Sequence, residues 1–469
     1  MNVDAEANDR KALEQISILT KEFPNEPLYR MKQGIRHVDL GNSLRANGNR
    51  TESESNYSLA AKIFAKLSQE FPQLTKYRQR LATSLVSLAN TERARQDFSG
   101  AESHYREALA IQTQLADDFP LLSTYRDDQV DSHWGIAYTM KRLERLDESE
   151  SEYRLALDLL EKLSAEFPAN AEFRHRRALL CQDLAVMLYD DGKNDVGAEI
   201  LSEAIEMLVQ LVAEYPSIPK YRSELSACRR NLGRVLGYLN KRIESTEQFR
   251  DAILLGERLV ADQPSALPYQ ASLGLSYSYF AAMLRDGGSP IDSVEWYQKA
   301  LRTLTSAYEQ DRQVYLTKQS LYKCHHAYAN AFRKLNRHAE AVKEWDAAIE
   351  LAPQDKKPAM RGLRAYSRFK TGEQVQAMAE LTELTQTDPT DPYHNYTLAR
   401  VYALASANDL AKKEEYAKLA VEQLYHAATT GFKEPVDFEA DEDLASLLDR
   451  EDLKKFLEEY KASIKSMNK

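Results

Sequence analysis

The strongest constraint on this chain is a period. Ala12, Ala60, Ala108, Ala156, Ala204, Ala252, Ala300 and Ala348 stand 48 residues apart without slippage. Self-similarity at a fixed spacing of this size marks a repeat architecture, in which each unit buries its apolar face only by stacking on a neighbour. Other positions keep the same register. Three residues before the alanines stand Tyr57, Tyr105, Tyr153, Leu201, Phe249, Tyr297 and Trp345, all large. Seven before stand Ser53, Ala101, Ser149, Gly197, Ser245, Ser293 and Ala341, and nineteen before stand Gly41, Ala89, Ala137, Ala185, Gly233, Ala281 and Ala329, all small. Small residues let one helix backbone approach another, and the large ones fill the space left over. Spacings of three and four place them on one helical face.

Residues 77–120 show what one unit contains. A first helix is predicted from Tyr77 to Arg95, with Leu81, Leu85, Leu88 and Ala89 on its apolar stripe. Gln96 to Gly100 is turn chemistry, and a second helix turns Ala101, Tyr105, Ala108, Leu109, Ile111 and Leu115 inward. It stops at Phe119-Pro120, because proline cannot continue the hydrogen-bond ladder. The same pair stands at Phe23-Pro24, Phe71-Pro72 and Phe167-Pro168, and Tyr-Arg opens the next unit at Tyr29-Arg30, Tyr77-Arg78, Tyr125-Arg126 and Tyr221-Arg222. These pairs read as capping and hairpin-to-hairpin packing.

Ala329, Ala341, Trp345, Ala348 and Pro353 together resemble the tetratricopeptide repeat, a pair of antiparallel helices with small, large and proline positions at this spacing. That repeat is 34 residues long. Here Ala108 to Pro120 is longer than the family pattern by seven residues, and so is Pro72 to Ala89. Each helix therefore gains two turns, about 10.5 Å. The resemblance implies an all-α fold: a right-handed superhelical solenoid of antiparallel hairpins, mostly in 48-residue long-helix repeats. The expected organisation is an N-terminal half-repeat helix (1–28), six 48-residue hairpins (29–316), three shorter hairpins (317–428) and a capping helical tail (429–469). The shorter hairpins carry Ala365, Gly372, Ala377 and Pro389, then Ala399, Tyr402 and Ala417. In the tail, the acidic stretch Asp437 to Asp443 reads as carboxylates at a helix N-terminus, and Leu444 to Tyr460 as helix.

The Phe-Pro and Tyr-Arg junctions, the segment Tyr396 to Leu404 and the tail from Ala420 to Leu453 also look like the C-terminal regions of planctomycete-type bacterial serine/threonine protein kinases. Arg400 stands where that pattern often has cysteine. Such proteins carry the kinase domain before the repeats, so the resemblance implies a catalytic domain N-terminal to a chain whose repeats begin in mid-hairpin. No kinase chemistry is expected in this chain itself. It has no Gly-rich phosphate loop and no catalytic-loop or metal-binding aspartate motif, and Asp97-Phe98-Ser99-Gly100 is a lookalike at a turn.

Bulk properties narrow the classes further. The formal charge of −10, from 62 basic and 72 acidic residues, argues against nucleic acid as a partner. No apolar run reaches the length of a bilayer span. Three cysteines, Cys181, Cys228 and Cys324, fall in different repeats, which suits buried thiols and a cytoplasmic setting. Cys324-His325-His326 is the densest metal-like cluster, but adjacent helical residues point apart, so neither metal nor cofactor is expected.

Function should then lie on a surface. In tetratricopeptide proteins the first helix of each hairpin lines a concave groove, and the resemblance places groove residues six before, three before, one after and four after its small residue, the last three positions being the ones mapped here. Those positions give Asn42, Arg45, Asn90, Arg93, Trp134, Tyr138, Lys141, Tyr189, Arg230, Arg234, Arg285, His326, Asn330 and Arg333. The face reads as arginine and asparagine around an aromatic patch, without carboxylates. It predicts a scaffold for a protein or peptide ligand with acidic groups, because arginine and asparagine bind carboxylates and backbone amides. Self-association through the unpaired N-terminal helix is a second expected contact.

Overall fold

The computed structural model describes residues 2–312, 315–385, 391–432, 438 and 440–467. Pro389, Asp437 and Glu439 lie outside these residues. The described residues form twenty α-helices and two 3₁₀ turns, with no strand among them. The chain divides into two compact units, residues 1–240 and 241–469. The first holds α1 (Asn2–Glu22), α2 (Pro27–Ala46), α3 (Arg50–Glu70), α4 (Thr75–Ala94), α5 (Phe98–Asp118), α6 (Ser123–Arg142), α7 (Leu146–Glu166), α8 (Ala171–Asp190), α9 (Asn194–Glu214) and α10 (Pro219–Tyr238). The second holds α11 (Arg242–Asp262), α12 (Leu267–Asp286), α13 (Pro290–Gln310), α14 (Tyr315–Lys334), α15 (His338–Leu351), α16 (Lys357–Lys370), α17 (Gln374–Thr385), α18 (Pro392–Asn408), α19 (Lys413–Thr429) and α20 (Glu451–Met467). Consecutive helices pack on one another from α1 to α10 and from α11 to α17; α18 packs on α16 and α19, and α19 on α20.

Periodic spacing becomes periodic packing. Ala60, Ala108, Ala156, Ala204, Ala252, Ala300 and Ala348 are all fully buried, and so is every large residue three before them. Ala12, on α1, is only partly covered. Close approach explains the small residues. A Cβ on Gly41 would sit 2.8 Å from the Tyr57 ring, and one on Gly135 would sit 2.4 Å from the Tyr105 ring. Two of the serine hydroxyls seven before the alanines are satisfied across the hairpin, Ser53 donating to the Gly41 carbonyl at 2.7 Å and Ser149 to that of Ala137 at 2.8 Å, while Ser293 donates to the Pro290 carbonyl of its own helix at 2.7 Å. Buried polar groups need such partners, and the two cross-hairpin bonds also fix the helix-to-helix distance.

Both ends of the hairpins repeat. At the turn, the backbone enters the left-handed region at Gly48, Gln96, Glu144, Gly192, Asn240, Gly288 and Asn336, again 48 apart. This residue ends the first helix by freeing the chain to reverse. Asp97 then caps α5, its side chain accepting from the Gly100 amide at 3.0 Å, so Phe98 to Gly100 is the first helical turn and not loop. At the open end, Arg30, Arg78, Arg126 and Arg174 reach Glu70, Asp118, Glu166 and Glu214 of the same hairpin, at 2.6–3.0 Å. Each Phe-Pro phenylalanine packs against the aromatic ring that opens the next hairpin, Phe71 on Tyr77 and Phe119 on Tyr125 at about 6 Å between centroids.

Helix lengths date the change of repeat. Helices α3, α5, α7, α9, α11 and α13 have 21 residues, while α15 has 14, a difference of two turns. The switch occurs inside a hairpin, since α14 keeps 20 residues and α15 is short. The tail is not one helix from Leu444: a 3₁₀ turn at Glu442–Leu447 precedes α20. Its cap is Asp441, whose carboxylate accepts from the Asp443 amide at 3.0 Å.

One buried histidine in the second unit carries a stability prediction. His394 on α18 is 2% exposed, and neither ring nitrogen has a hydrogen-bond partner among the described residues. Burial holds its pKa down, to about 4, against about 6.5 in an unfolded chain. The folded ring stays neutral while the unfolded one takes a proton, so stability is full above pH 6.5 and falls as pH drops toward 4. The slope is about 1.4 kcal/mol per pH unit at most for one group. Urea melts between pH 7 and 4 should show this slope flattened by His394→Leu. An unchanged slope in the variant refutes the assignment.

Candidate binding sites on the first helices

In the first unit the predicted groove residues of two successive repeats converge. Asn90 and Arg93 project from α4, and Trp134 and Tyr138 from α6. With Val86, Gly135, Asp131 and Asp183 they line an open cavity of about 430 Å³. The Arg93 guanidinium lies over the Tyr138 ring, 4.7 Å from its centroid. Asn90 is fixed through its carbonyl oxygen, which accepts from the Tyr105 hydroxyl at 2.7 Å and from Arg93 at 3.3 Å. Gly135 lets this happen: any side chain there would displace the Tyr105 ring that anchors Asn90.

The face is not free of carboxylates, contrary to the sequence reading. Asp131 lines the cavity, one helical turn before Trp134, and Asp183 from α8 accepts from the Trp134 indole at 2.8 Å. Burial pushes the Asp183 carboxyl up, against the pull of that hydrogen bond. The remaining predictions in this unit stand apart from the cavity. Asn42 and Arg45 are exposed on α2, with Asn42 accepting from the Tyr57 hydroxyl at 2.6 Å. Lys141 is paired with Asp190 at 2.8 Å. Arg234 lies over the Tyr189 ring at 5.0 Å, and Arg230 is half-buried on α10.

A second cavity of about 430 Å³ opens in the second unit, lined by Arg285, Asp286, Asn330, Arg333, Lys334, Asn336, His338, Tyr366 and Arg400. Three predicted residues meet here, and Tyr366 is its centre. Arg333 and Arg400 both lie over that ring, at 5.1 and 4.7 Å from its centroid. Arg285 is held by Asp286 and reaches the Ala327 carbonyl at 3.1 Å. From the tail, Asp443 accepts from the Tyr366 hydroxyl at 2.8 Å, from Lys370 at 2.6 Å and from Arg400. Asp443 is only 5% exposed; burial opposes its charge, but Lys370 and Arg400 outweigh it and hold its pKa below the usual carboxylate value. The acidic stretch thus caps a 3₁₀ turn and also clamps the groove cations.

Tyr366 and Arg400 were absent from the predicted set, although a signal existed. Each directly follows the small residue of its first helix, Ala365 or Ala399, as Asn330 follows Ala329. His326 does not line the cavity. Its ring meets Trp345 edge-on at 5.1 Å, and burial together with Arg285 and Arg333 brings its pKa to about 4. Its neighbours in sequence point elsewhere, with His325 Nδ1 2.6 Å from Glu344 and Cys324 buried, its thiol pushed up to about 12. Among the described residues no group of three His, Cys, Asp or Glu side chains is placed to hold a metal ion, and no helix is long and apolar enough to cross a membrane.

The tetratricopeptide repeat profile matches residues 81–120, which span α4 and α5 from Leu81 onward, and residues 225–265. No curated protein matches the chain. Solved structures that are similar include the apo form of RapI, at 12% identity over 85% of this chain and 98% of that one, with a TM-score of 0.49. The apo quorum sensor NprR from B. thuringiensis is similar at 14% identity over 81% and 99%, with a TM-score of 0.46. BtubC from P. vanneervenii is similar at 18% identity over 56% and 93%, with a TM-score of 0.44. At these identities no ligand or activity carries over.

Proposed function

We propose that this chain is a non-catalytic scaffold that binds an extended or helical peptide bearing acidic groups along its first-helix faces. One observation carries the reading: Asn90, Arg93, Trp134 and Tyr138, from two successive repeats, converge on a single open cavity. An aromatic wall with an arginine and an amide beside it is the composition of a peptide anchor, where Tyr, Trp and Arg supply most of the binding energy. The junction and tail resemblance to planctomycete-type kinases supports a role as the docking arm of a bacterial serine/threonine kinase pathway in the cytoplasm. In that reading any phosphoryl transfer belongs to a catalytic domain that this chain lacks.

The reading is tested by selecting binders to the full chain from a displayed peptide library. Arg93→Ala and Tyr138→Ala should each weaken the selected peptides about tenfold or more, the loss expected of an anchor. Calorimetric Kd values that do not move in either variant end it.

A further inference from the structure

The second-unit cavity carries an excess of positive charge that no described residue compensates. Four cations line it (Arg285, Arg333, Lys334 and Arg400), a fifth, Lys370, sits behind them on Asp443, and three carboxylates (Asp286, Asp441 and Asp443) pair with this set. Asp286 holds Arg285 and Lys334. Asp443 holds Lys370 and Arg400, with Asp441 also 3.2 Å from Arg400 Nε. Two positive charges remain over. The uncompensated position is Arg333, which has no carboxylate partner among the described residues. It donates to the Asn330 carbonyl oxygen at 3.0 Å, and its buried Nε has no hydrogen-bond partner. Burial and then the Arg400 charge lower its pKa, as expected of a cation held in place without an anion.

We propose that this cavity binds a phosphate monoester dianion carried on a peptide, a phosphoserine or phosphothreonine. Charge selects the ligand class, since a phosphate monoester brings about −1.5 to −2 at pH 7 while a carboxylate brings one. Geometry agrees. Tyr366 holds the guanidinium groups of Arg333 and Arg400 against one ring, so two cations are fixed in place before any ligand arrives. The cavity is large enough to take flanking backbone as well as the anion. Asn330 and Asn336 line it, and their amides suit peptide N–H and C=O groups. The inference rests on the scaffold reading for its peptide and on this cavity alone for its phosphate.

Two probes separate those dependencies. Inorganic phosphate, followed by ³¹P line broadening, reports on the cavity without any peptide. A short phosphoserine peptide flanked by alanine and glycine, titrated beside its serine and glutamate forms, reports on the whole proposal. The phosphorylated form should bind the full chain about tenfold or more tighter than either control, two charges beside fixed cations being held more strongly than one. Arg333→Gln should abolish the preference, and Lys334→Gln, at an exposed and structurally undemanding position, should weaken it about threefold. Lys162→Gln, on an exposed face of the first unit and in neither cavity, should leave it unchanged. Equal binding of the three peptides overturns the proposal, even where library peptides still bind through Arg93. Line broadening by inorganic phosphate with no peptide preference overturns the peptide source. Tighter Arg333-dependent binding of a nucleoside monophosphate than of the phosphopeptide overturns it in favour of a nucleotide.

Discussion

Replacing Asp443 with alanine is expected to destabilise residues 241–469 by about 3–5 kcal/mol, the cost of removing one partner from a buried charge cluster. The carboxylate is 5% exposed and accepts from Tyr366, Lys370 and Arg400 at once, so its loss strands Lys370 and a hydroxyl and leaves Arg400 with Asp441 alone. Asp443→Asn keeps the shape and an acceptor for Tyr366 and should cost less. The pH dependence has a definite sign. Asp443 titrates below the ordinary carboxylate value when folded, so its contribution is present above the unfolded value, about 3.9, and is lost as pH falls through the folded one. That window lies below the one set by His394, and acid titrations of the two single variants should separate them. Hydrogen exchange should show the 3₁₀ turn at Glu442–Leu447 and α18 opening together in Asp443→Ala. A variant within about 1 kcal/mol of the parent, the worth of an exposed ion pair, removes the clamp from the account.

Trp345→Ala should cost about 3–5 kcal/mol for a different reason, the loss of a large buried side chain and the cavity it leaves. Trp345 is fully buried on α15, and its indole nitrogen has no hydrogen-bond partner among the described residues. No polar bond is broken on truncation, so Trp345→Phe, which keeps most of the volume, should lose far less. His326 supplies a second readout. Its pKa of about 4 comes first from burial, and its ring lies edge-on against the indole. Opening that contact to water should raise the value toward 6.5, measurable by NMR titration. A stable Trp345→Ala with His326 still near 4 contradicts the packing described for this hairpin.

How much was legible in the sequence depends on what each position is selected for. The alanine and aromatic register was, because a close helix crossing admits only small residues and the gap beside it only large ones. The left-handed turn residues were not. Their period is just as strict, but Gly48, Gly192 and Gly288 are interspersed with Gln96, Glu144, Asn240 and Asn336, since only their backbone is constrained. In the first unit Asn90, Arg93, Trp134 and Tyr138 come together as spacing implied, whereas Asn42 and Arg45 do not line the cavity. Asp131 stands six before Ala137, on the groove register, but the other two opposing carboxylates were not legible for a physical reason. Asp183 reaches the cavity from the next repeat but one position off the groove register, and Asp443 comes from a tail outside the repeat altogether. Tyr366 and Arg400 could have been found by extending the register past the change in repeat length.

The Arg–carboxylate latches from Arg30–Glu70 to Arg174–Glu214 close each hairpin on itself, and like aromatic contacts join one hairpin to the next. A gene segment of one period can therefore be duplicated or deleted without creating a foreign joint. Under the scaffold reading proposed above, recognition length and recognition chemistry are then inherited separately: whole-unit gain or loss changes how much of a partner is spanned, while point substitution on the first helices changes what is read.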